Sequence, residues 1–271
     1  MSNAIYALGH SDAEIQRLIE QAGFIRDITN RLLQSAGIER GMRVLDLGCG
    51  AGDVSMLAAR LVGASGAVVG IDRNDKVLAI ARERARADGF ANISFATASA
   101  ETFDDVLPFD FVVGRYVLIH QADPVAFLRA AAGFARPGGI LAVHEPVGDS
   151  PIRCVPPVAL WQQTVDRVRA RLRDVVPSWD AGGRLVDLFY RASLRQPKLF
   201  SETPVGGGVD APHYPWLVEL ARTLLPQMAE CGGATAEAVD FETLETRLRM
   251  AAVDARSQIE GPAQICAWTT V

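Results

Sequence analysis

The chain has 271 residues, of which 49% are hydrophobic and 22% charged, so a large globular core is expected and a disordered chain is excluded. Its 27 basic and 32 acidic residues give a net charge of −5, which argues against a general nucleic-acid-binding protein, since such a protein needs a basic surface. The four cysteines are scattered and form no Cys-x-x-Cys pair, so neither a zinc site nor a disulfide framework is indicated.

The sequence carries no signal for a membrane or an export route. No uninterrupted apolar run approaches the roughly 18 residues that a membrane-spanning helix needs. The N-terminal segment has neither the basic stretch nor the apolar core of a signal peptide. We therefore expect a cytoplasmic protein without a membrane partner.

The first 150 residues predict alternating helices and strands. The first helix begins at a capping box, Ser11 followed by Glu14, and continues with apolar residues at helical spacing. Further helices are predicted for residues 53–61, 74–88 and 123–135. Strands are predicted for residues 43–47, 67–72, 93–97, 109–114 and 140–145, with a turn at residues 137–139. This alternation predicts a parallel, doubly wound sheet.

The second half of the chain has a different rhythm. Helices are predicted for residues 161–175, 184–192, 215–230 and 241–256. Strands are predicted for residues 198–205 and 264–271, with a glycine loop at residues 206–208. The predicted fold class is therefore α/β. It is a doubly wound, Rossmann-like sheet of seven mostly parallel strands, with a helical insertion between strands five and six and an N-terminal lid helix.

The most informative segment is VLDLGCGAG, residues 44–52. A strand that carries Asp46 leads into three alternating glycines, Gly48, Gly50 and Gly52, and a helix follows. A turn this tight needs backbone angles that a Cβ resists, and the missing side chains let a ligand approach the backbone. The loop lies at the carboxyl end of a parallel strand, where doubly wound sheets bind ligands.

Two kinds of cofactor are compatible with such a loop. A dinucleotide site has the pattern G-x-G-x-x-G, but here Asp53 replaces the third glycine. Asp46 and Asp53 would also crowd a pyrophosphate, whereas they suit S-adenosylmethionine, which carries an ammonium and a sulfonium. The complete D-x-G-x-G-x-G pattern resembles the first motif of class I S-adenosylmethionine-dependent methyltransferases. The resemblance implies S-adenosylmethionine as cofactor and S-adenosylhomocysteine as product.

The ends of strands two and three extend the resemblance. Strand two ends at Asp72, 26 residues after Asp46, and a carboxylate there can accept two hydrogen bonds from a ribose diol, as it does in the family. After strand three the family often has an Asp-Ala pair that holds the adenine. Ser99 and Ala100 take these positions here, so the side-chain contact is a weaker, neutral one. Arg73 is a further expected cofactor contact.

Strand four and its continuation also resemble the family. We expect Arg115 and Tyr116, which follow this strand, to contact the cofactor. The resemblance is closest to bacterial small-molecule methyltransferases related to the ubiquinone and menaquinone C-methyltransferases, and it covers residues 40–145. At the subgroup level it implies that Tyr6 folds over the cofactor with a lid helix; a helix packed on the sheet is the alternative.

The marks of other methyltransferase classes are missing. A DNA amino-methyltransferase would have an Asn/Asp/Ser-Pro-Pro-aromatic run after strand four, where this chain has Gly-Arg-Tyr-Val at residues 114–117. No acidic cluster resembles the metal site of catechol-type enzymes. We therefore expect a metal-free enzyme that acts on a small molecule and has no nucleic-acid partner.

The catalytic candidates depend on the acceptor. Methyl transfer is an in-line displacement at a carbon that the sulfonium already activates, so alignment and water exclusion are the main tasks. A general base is needed only when the acceptor must lose a proton. The candidates are His120, His144 and Glu145, with a hydrogen-bonded structural role as the alternative for both histidines. His144 and Glu145 are adjacent in strand five, so only one of them can point into the cleft.

The chain divides into four predicted regions. These are residues 1–40 (lid helix), 41–146 (cofactor-binding core), 147–197 (helical insertion with the acceptor pocket) and 198–271 (completion of the sheet with two helices). Residues 151–200 carry nine basic and four acidic residues. Arg169 and Arg171 flank the apolar face of the helix at 161–175, and they either extend into solvent or attract an acidic acceptor.

Two other functions stay open. One is a catalytically silent S-adenosylmethionine-binding scaffold, because the cofactor motif is intact and no base is assured. The other, less favoured because of the missing third glycine, is a nicotinamide-dependent oxidoreductase. The sequence identifies neither the acceptor nor the methylated atom, and a homodimer is a hypothesis.

Overall fold

The computed structural model describes residues 12–225 and 240–271, with side chains described from residue 23 onward. Tyr6 and the capping residue Ser11 lie outside the described residues, as does the end of the helix predicted for residues 215–230. Within the described ranges no helix is long and apolar enough to cross a membrane.

The described part of the chain forms ten strands in two sheets. The strands are β1 (Arg43–Leu47), β2 (Ala67–Asp72), β3 (Ile93–Thr97), β4 (Phe109–Arg115), β5 (Ala135–Pro146), β6 (Arg153–Val155), β7 (Lys198–Glu202), β8 (Val205–Gly207), β9 (Gln258–Glu260) and β10 (Gln264–Thr270). The central sheet has the order β3-β2-β1-β4-β5-β10-β7, and only β10 runs antiparallel to its neighbours. The predicted seven-stranded, mostly parallel sheet is confirmed.

Eight α-helices are described. They are α1 (Asp12–Ala36), α2 (Asp53–Val62), α3 (Asp75–Ala87), α4 (Pro124–Gly133), α5 (Ala159–Val175), α6 (Leu185–Arg191), α7 (His213–Leu224) and α8 (Phe241–Asp254). Local capping explains two of the starts. The Asn74 side chain accepts a hydrogen bond from the Lys76 amide at the start of α3. Asp123 does the same for two amides at the start of α4, where Pro124 occupies the first turn.

Helices cover both faces of the central sheet. On one face, Leu32 and Leu33 of α1 pack with α2 against strand residues that include Phe111. On the other face, α4 and α6 pack against the sheet, and Phe189 of α6 is fully buried there. Each fully buried side chain of this size contributes about 1.5–3 kcal/mol. The second half of α1 is thus part of the core, whereas the lid role of the segment before it stays a prediction.

A second core lies outside the central sheet. It combines α5, α7 and α8 with the small antiparallel sheet β6-β9-β8, around the fully buried Trp161 and Tyr214. Phe24 of α1 stacks on Trp216 at 5.6 Å between ring centroids and so connects this core to the central sheet. The small sheet was not predicted, because three-residue strands are too short to show an alternating pattern.

Three local predictions were wrong in detail. The strand predicted for residues 198–205 divides into β7 and β8, and two of the three residues of the predicted glycine loop belong to β8. The turn predicted at residues 137–139 lies inside β5, whose register with β4 shifts at this point. A Cβ on Gly139 would lie 2.9 Å from the Arg136 carbonyl oxygen, so glycine permits this close approach.

The apolar face of α5 packs mainly in the second core, through Trp161, Val165 and Val168. In α6, Phe189 is buried in the main core, whereas Tyr190 is 56% exposed. The insertion contacts the loop that follows β5. In this loop, Asp149 accepts hydrogen bonds from Arg173 and Trp179.

Candidate functional site

Polar side chains gather at the sheet edge where the parallel strands end. Asp46 lies one residue before the end of β1, Asp72 ends β2, and Arg115 ends β4. Gln264 begins the antiparallel β10 and therefore lies at the same edge, opposite Pro146 of β5. Doubly wound sheets bind their ligands at this edge.

The glycine-rich loop between β1 and α2 uses the backbone freedom of its glycines. Gly48, Gly50 and Gly52 have φ values of 63°, 52° and 84°. A Cβ on Gly52 would lie 3.1 Å from the Phe95 ring and 3.2 Å from the Ala81 Cβ. A Cβ on Gly50 would meet no atom of the described residues within 4 Å, so among these residues open space lies beside Gly50 and a ligand can approach its backbone.

The Asp72 carboxylate links this loop to the end of β2. Its Oδ2 accepts a hydrogen bond from the Gly50 amide at 3.0 Å, and its Oδ1 accepts one from the Asn74 amide at 2.9 Å. Each carboxylate oxygen can accept more than one hydrogen bond, so Asp72 retains capacity for two further donors. Its position fits the predicted contact with a ribose diol.

Asp46 and Arg115 are opposite charges in the buried part of the site. The Ser55 hydroxyl donates to Asp46 Oδ2 at 2.6 Å. Burial raises the pKa of Asp46 to about 7, although this hydrogen bond and the charge of Arg115 act to lower it. Burial lowers the pKa of Arg115, whose Nη1 donates to Thr29 Oγ1 at 3.3 Å. Arg115 forms no ion pair with a described residue, so most of its N–H donors are available to an anionic ligand group.

Arg84 of α3 neutralises Asp53, the residue that follows the last loop glycine. Its two terminal nitrogens lie 2.8 and 3.1 Å from the Asp53 carboxylate oxygens, and one of them also donates to the Ala51 carbonyl at 2.7 Å. Such a bidentate pair has a defined geometry and holds the loop against α3. Arg84 could not be identified from the sequence, because a single arginine on a charged helix face carries no distinctive signal.

The predicted adenine region forms a turn beside Asp72. The Ala98 amide donates to the Asp72 carbonyl oxygen, which places Ser99 and Ala100 next to the end of β2. The Ser99 hydroxyl lies 3.2 Å from Thr102 Oγ1, so it already has a partner within the turn. Arg73, predicted to contact the cofactor, forms an exposed ion pair with Glu101 at 3.2 Å.

His144 is fully buried on the face of the sheet that α1 covers. Its Nδ1 lies 3.0 Å from Thr29 Oγ1 and its Nε2 lies 3.1 Å from Gln264 Oε1, so both ring nitrogens have partners. Burial and the nearby charge of Arg115 lower the pKa of His144 to about 3. This arrangement favours the structural alternative for His144 over the general base.

Glu145 points to the opposite face and is also fully buried. Its Oε1 accepts hydrogen bonds from the amides of Val117 and Leu118 at 2.9 and 2.8 Å, and Oε2 lies 3.4 Å from the Ile119 amide. Burial raises the pKa of Glu145 to about 8, against the effect of these amides. His120 ends the short 3-10 turn that this carboxylate caps. The structure therefore separates His144 from Glu145 and gives Glu145 a capping role.

The geometry of this edge can be compared with known proteins. A methyltransferase domain model matches residues 38–181, which is more than half of the chain. The chain belongs to the methyltransferase domain family. The resemblance inferred from the glycine-rich motif is thereby confirmed.

Two curated methyltransferases illustrate the similarity. The chain is 38% identical over 117 residues to a ubiquinone/menaquinone biosynthesis C-methyltransferase of Proteus mirabilis, covering 42% of this chain and 46% of that protein. It is 38% identical over 125 residues to a ubiquinone biosynthesis O-methyltransferase of Rhizobium etli, covering 45% and 49% respectively. The chain thus spans about half the length of the curated relatives that it matches.

The similarity of fold extends over most of the chain. A solved structure of a putative methyltransferase from Bacillus halodurans superposes with a TM-score of 0.58 at 16% identity, covering 89% of this chain and 97% of that one. At this identity the likeness shows the fold alone.

Besides Arg84, two residues of the candidate site were missed by sequence reasoning. Thr29 is a buried polar residue on the apolar face of α1, and Gln264 is a fully buried residue at the start of an apolar strand. A lone polar residue inside an apolar pattern is the signal that could have identified both. Over residues 12–225 and 240–271, no group of three or more His, Cys, Asp or Glu side chains is arranged to hold a metal ion.

Proposed function

We propose that the protein transfers the methyl group of S-adenosylmethionine to a small-molecule acceptor by in-line displacement, without a metal ion. The observation that supports this most directly is the Asp72 carboxylate, held against the Gly50 amide next to open space. When bound, S-adenosylmethionine supplies a methyl group that its sulfonium has already activated. The cytoplasmic location and the homodimer stay predictions.

The same observation argues against a dinucleotide cofactor. A pyrophosphate in a Rossmann-type site accepts hydrogen bonds from amides of the glycine-rich loop. Here the Gly50 amide already donates to Asp72 and is not available to a phosphate. The nicotinamide-dependent oxidoreductase is therefore disfavoured by geometry as well as by the missing glycine.

The residues of the edge fit the parts of S-adenosylmethionine. Asp72 would accept hydrogen bonds from the ribose diol. Arg115 would donate to the carboxylate of the methionine part, since most of its donors are available. The buried Asp46 would favour the ammonium group electrostatically. Ala100 and the Ser99 turn would contact the adenine.

The role of a general base falls to His120 in this proposal. His144 and Glu145 are both fully buried, whereas His120 is only partly buried. His120 would accept a proton only from an acceptor that must lose one. Other acceptors need alignment and exclusion of water alone.

We also propose that the acceptor is anionic and lies beside the insertion. Arg169 of α5 donates from Nη2 to the Ser150 carbonyl oxygen at 2.7 Å, in the loop that follows β5. Its Nε is buried and has no hydrogen-bond acceptor among the described residues. The neighbouring Asp149 is bound by Arg173 and Trp179 instead. A cation with an unsatisfied buried donor favours a negatively charged ligand.

Methyl transfer is tested with S-adenosylmethionine that carries a labelled methyl group. The protein is incubated with a panel of small carboxylic acids and phenols, and labelled product is detected by mass spectrometry. Turnover of any acceptor supports the proposal, and Arg169→Gln should then raise KM for that acceptor with little change in cofactor affinity. Cofactor binding without product across the panel would favour the silent scaffold.

Removal of metal ions should leave cofactor binding and methyl transfer unchanged. We expect EDTA to change neither the affinity for S-adenosylhomocysteine nor methyl transfer to an acceptor found in the panel, because the proposed contacts are protein hydrogen bonds. Calorimetric titration with and without EDTA measures the affinity. Loss of activity in EDTA with recovery on addition of magnesium would contradict the metal-free assignment.

Cofactor affinity should rise with pH. The pKa of Asp46 is raised to about 7 in the free protein, so an ammonium group placed near it favours the ionised form and lowers that pKa. Binding then releases a proton. We expect affinity for S-adenosylhomocysteine to be higher at pH 8 than at pH 6, as measured by calorimetry in buffers of different ionisation enthalpy.

The matched variant for this prediction is Asp46→Asn. It keeps the size of the side chain and removes the titrating group, so its affinity should be lower and nearly independent of pH between 6 and 8. A wild-type affinity that is flat over this range would show that the cofactor does not sense the charge of Asp46.

A further inference from the structure

A chain of hydrogen bonds connects α1 with the strands β4, β5 and β10. It runs from Tyr116, after β4, through Gln264 of β10 and His144 of β5 to Thr29 of α1, and ends at Arg115 of β4. His144 and Gln264 are completely buried, since both have zero accessible surface. Tyr116 and Arg115, the two residues at the ends of this hydrogen-bond chain, are not fully buried.

The direction of every bond in the chain follows from the Gln264 amide. Its Nε2 donates to the Pro262 carbonyl oxygen at 2.9 Å, so its Oε1 faces two donors. The Tyr116 hydroxyl donates to that oxygen at 2.7 Å. His144 Nε2, at 3.1 Å from the same oxygen, must then carry the imidazole proton.

The remaining bonds of this hydrogen-bond chain have one consistent arrangement of protons. With its proton on Nε2, neutral His144 accepts at Nδ1 from the Thr29 hydroxyl at 3.0 Å. The alternative acceptor for that hydroxyl, the Ile25 carbonyl oxygen, lies further away at 3.2 Å. Thr29 Oγ1 in turn accepts from Arg115 Nη1. The orientation of one glutamine amide thus propagates to Tyr116 and to Arg115.

Tyr116 needs such support because its backbone is strained. Its φ is 57°, in the left-handed region that a residue with a Cβ rarely adopts. Among the bonds that hold it there, its amide donates to the His144 carbonyl oxygen at 2.8 Å, and its hydroxyl donates to Gln264. The Tyr116 ring also contacts the His144 ring edge to face, with centroids 5.8 Å apart. This kink redirects the chain at the end of β4, directly after Arg115.

We infer that Gln264 is a positioning residue for the cofactor site, and this inference rests on the proposed function. Gln264 sets the Tyr116 hydroxyl and the His144 tautomer, and through His144 and Thr29 it sets the Arg115 guanidinium. Gln264 lies in the last strand of the chain, 118 residues after Pro146, the end of β5. The sequence motifs of the family end at that strand.

The test combines binding with a spectroscopic signature. Affinity for S-adenosylhomocysteine is measured by calorimetry for Gln264→Leu, Tyr116→Phe and the double variant. We expect Gln264→Leu to lose about ten-fold and Tyr116→Phe to lose less, because Tyr116→Phe leaves the bond between Gln264 and His144. The double variant should lose little more than Gln264→Leu, which already removes the bond to Tyr116. Thr269→Val is the control: Thr269 is another buried polar residue of β10, bonded to the Arg195 carbonyl oxygen, and its variant should bind normally.

The signature is the tautomer of His144, read from its ring nitrogen chemical shifts by NMR. Wild-type protein should carry the proton on Nε2, and Gln264→Leu should lose this preference. A wild-type proton on Nδ1 overturns the inference whether or not any variant folds. A Gln264→Leu protein that binds S-adenosylhomocysteine within two-fold of wild type overturns it too. Wild-type protein that binds no S-adenosylhomocysteine overturns the proposed function instead, and the tautomer result then stands by itself.

Discussion

Replacing Asp72 with alanine is expected to weaken binding of S-adenosylhomocysteine roughly 10- to 150-fold, measured by calorimetry. The variant removes the proposed acceptor of two hydrogen bonds from the ribose diol, and charge-assisted hydrogen bonds contribute about 1.5–3 kcal/mol. It also releases the Gly50 and Asn74 amides from the carboxylate. The loop beside the open space would then lose part of its fixed geometry, which acts in the same direction.

The control for this variant is Asp88→Ala. Asp88 follows α3 at its far end and forms an exposed ion pair with Arg60 at 2.9 Å, so its removal should change affinity very little. Thermal unfolding of both variants reports whether Asp72→Ala is still folded. Unchanged affinity in a folded Asp72→Ala protein would refute the ribose role and leave Asp72 as a purely structural residue.

The part of the fold that the sequence predicted well is the part built from local signals. Strands β1, β2 and β3 begin and end at the predicted residues, because glycine loops and helix caps delimit each of them. The small sheet and the second core were missed for the opposite reason. Strands β6, β8 and β9 lie far apart in the sequence and have three residues each, so only their tertiary pairing defines them.

The candidate site shows the same division. The positions of Asp46, Gly50 and Asp72 at this sheet edge could be predicted because the glycine-rich loop is continuous in sequence with the strand that positions it. Gln264 and Thr29 could not, because they reach the site only through the register of β10 and the packing of α1. An isolated polar residue in an apolar segment has no periodicity to identify its partner.

The sequence could not predict which of His144 and Glu145 faces the candidate site, for a simple physical reason. Both faces of the central sheet are covered by helices, so alternation along β5 does not reveal which face holds the site. The structure resolves the orientation. His144 lies under α1 with Arg115 and Gln264, and Glu145 lies under the 3-10 turn on the other face.

The largest loss of stability is expected for Glu145→Ala. Its carboxylate accepts from the amides of Val117 and Leu118 in a fully buried position, with the Ile119 amide close by. Unpaired buried donors cost about 1–3 kcal/mol each, so the variant should lose at least about 3 kcal/mol of its free energy of unfolding, measured by urea denaturation. Glu260→Ala, which breaks the surface ion pair with Arg153, should lose far less stability than Glu145→Ala.

Glu145→Gln separates the structural role from a catalytic one. The amide oxygen can still accept from Val117 and Leu118, so a capping residue should lose much less stability as glutamine than as alanine. Methyl transfer should persist in this variant, because the carboxylate faces backbone amides and not the edge where the cofactor is expected to bind. A stable Glu145→Gln protein that binds S-adenosylhomocysteine but transfers no methyl group would make Glu145 the base and would remove His120 from that role.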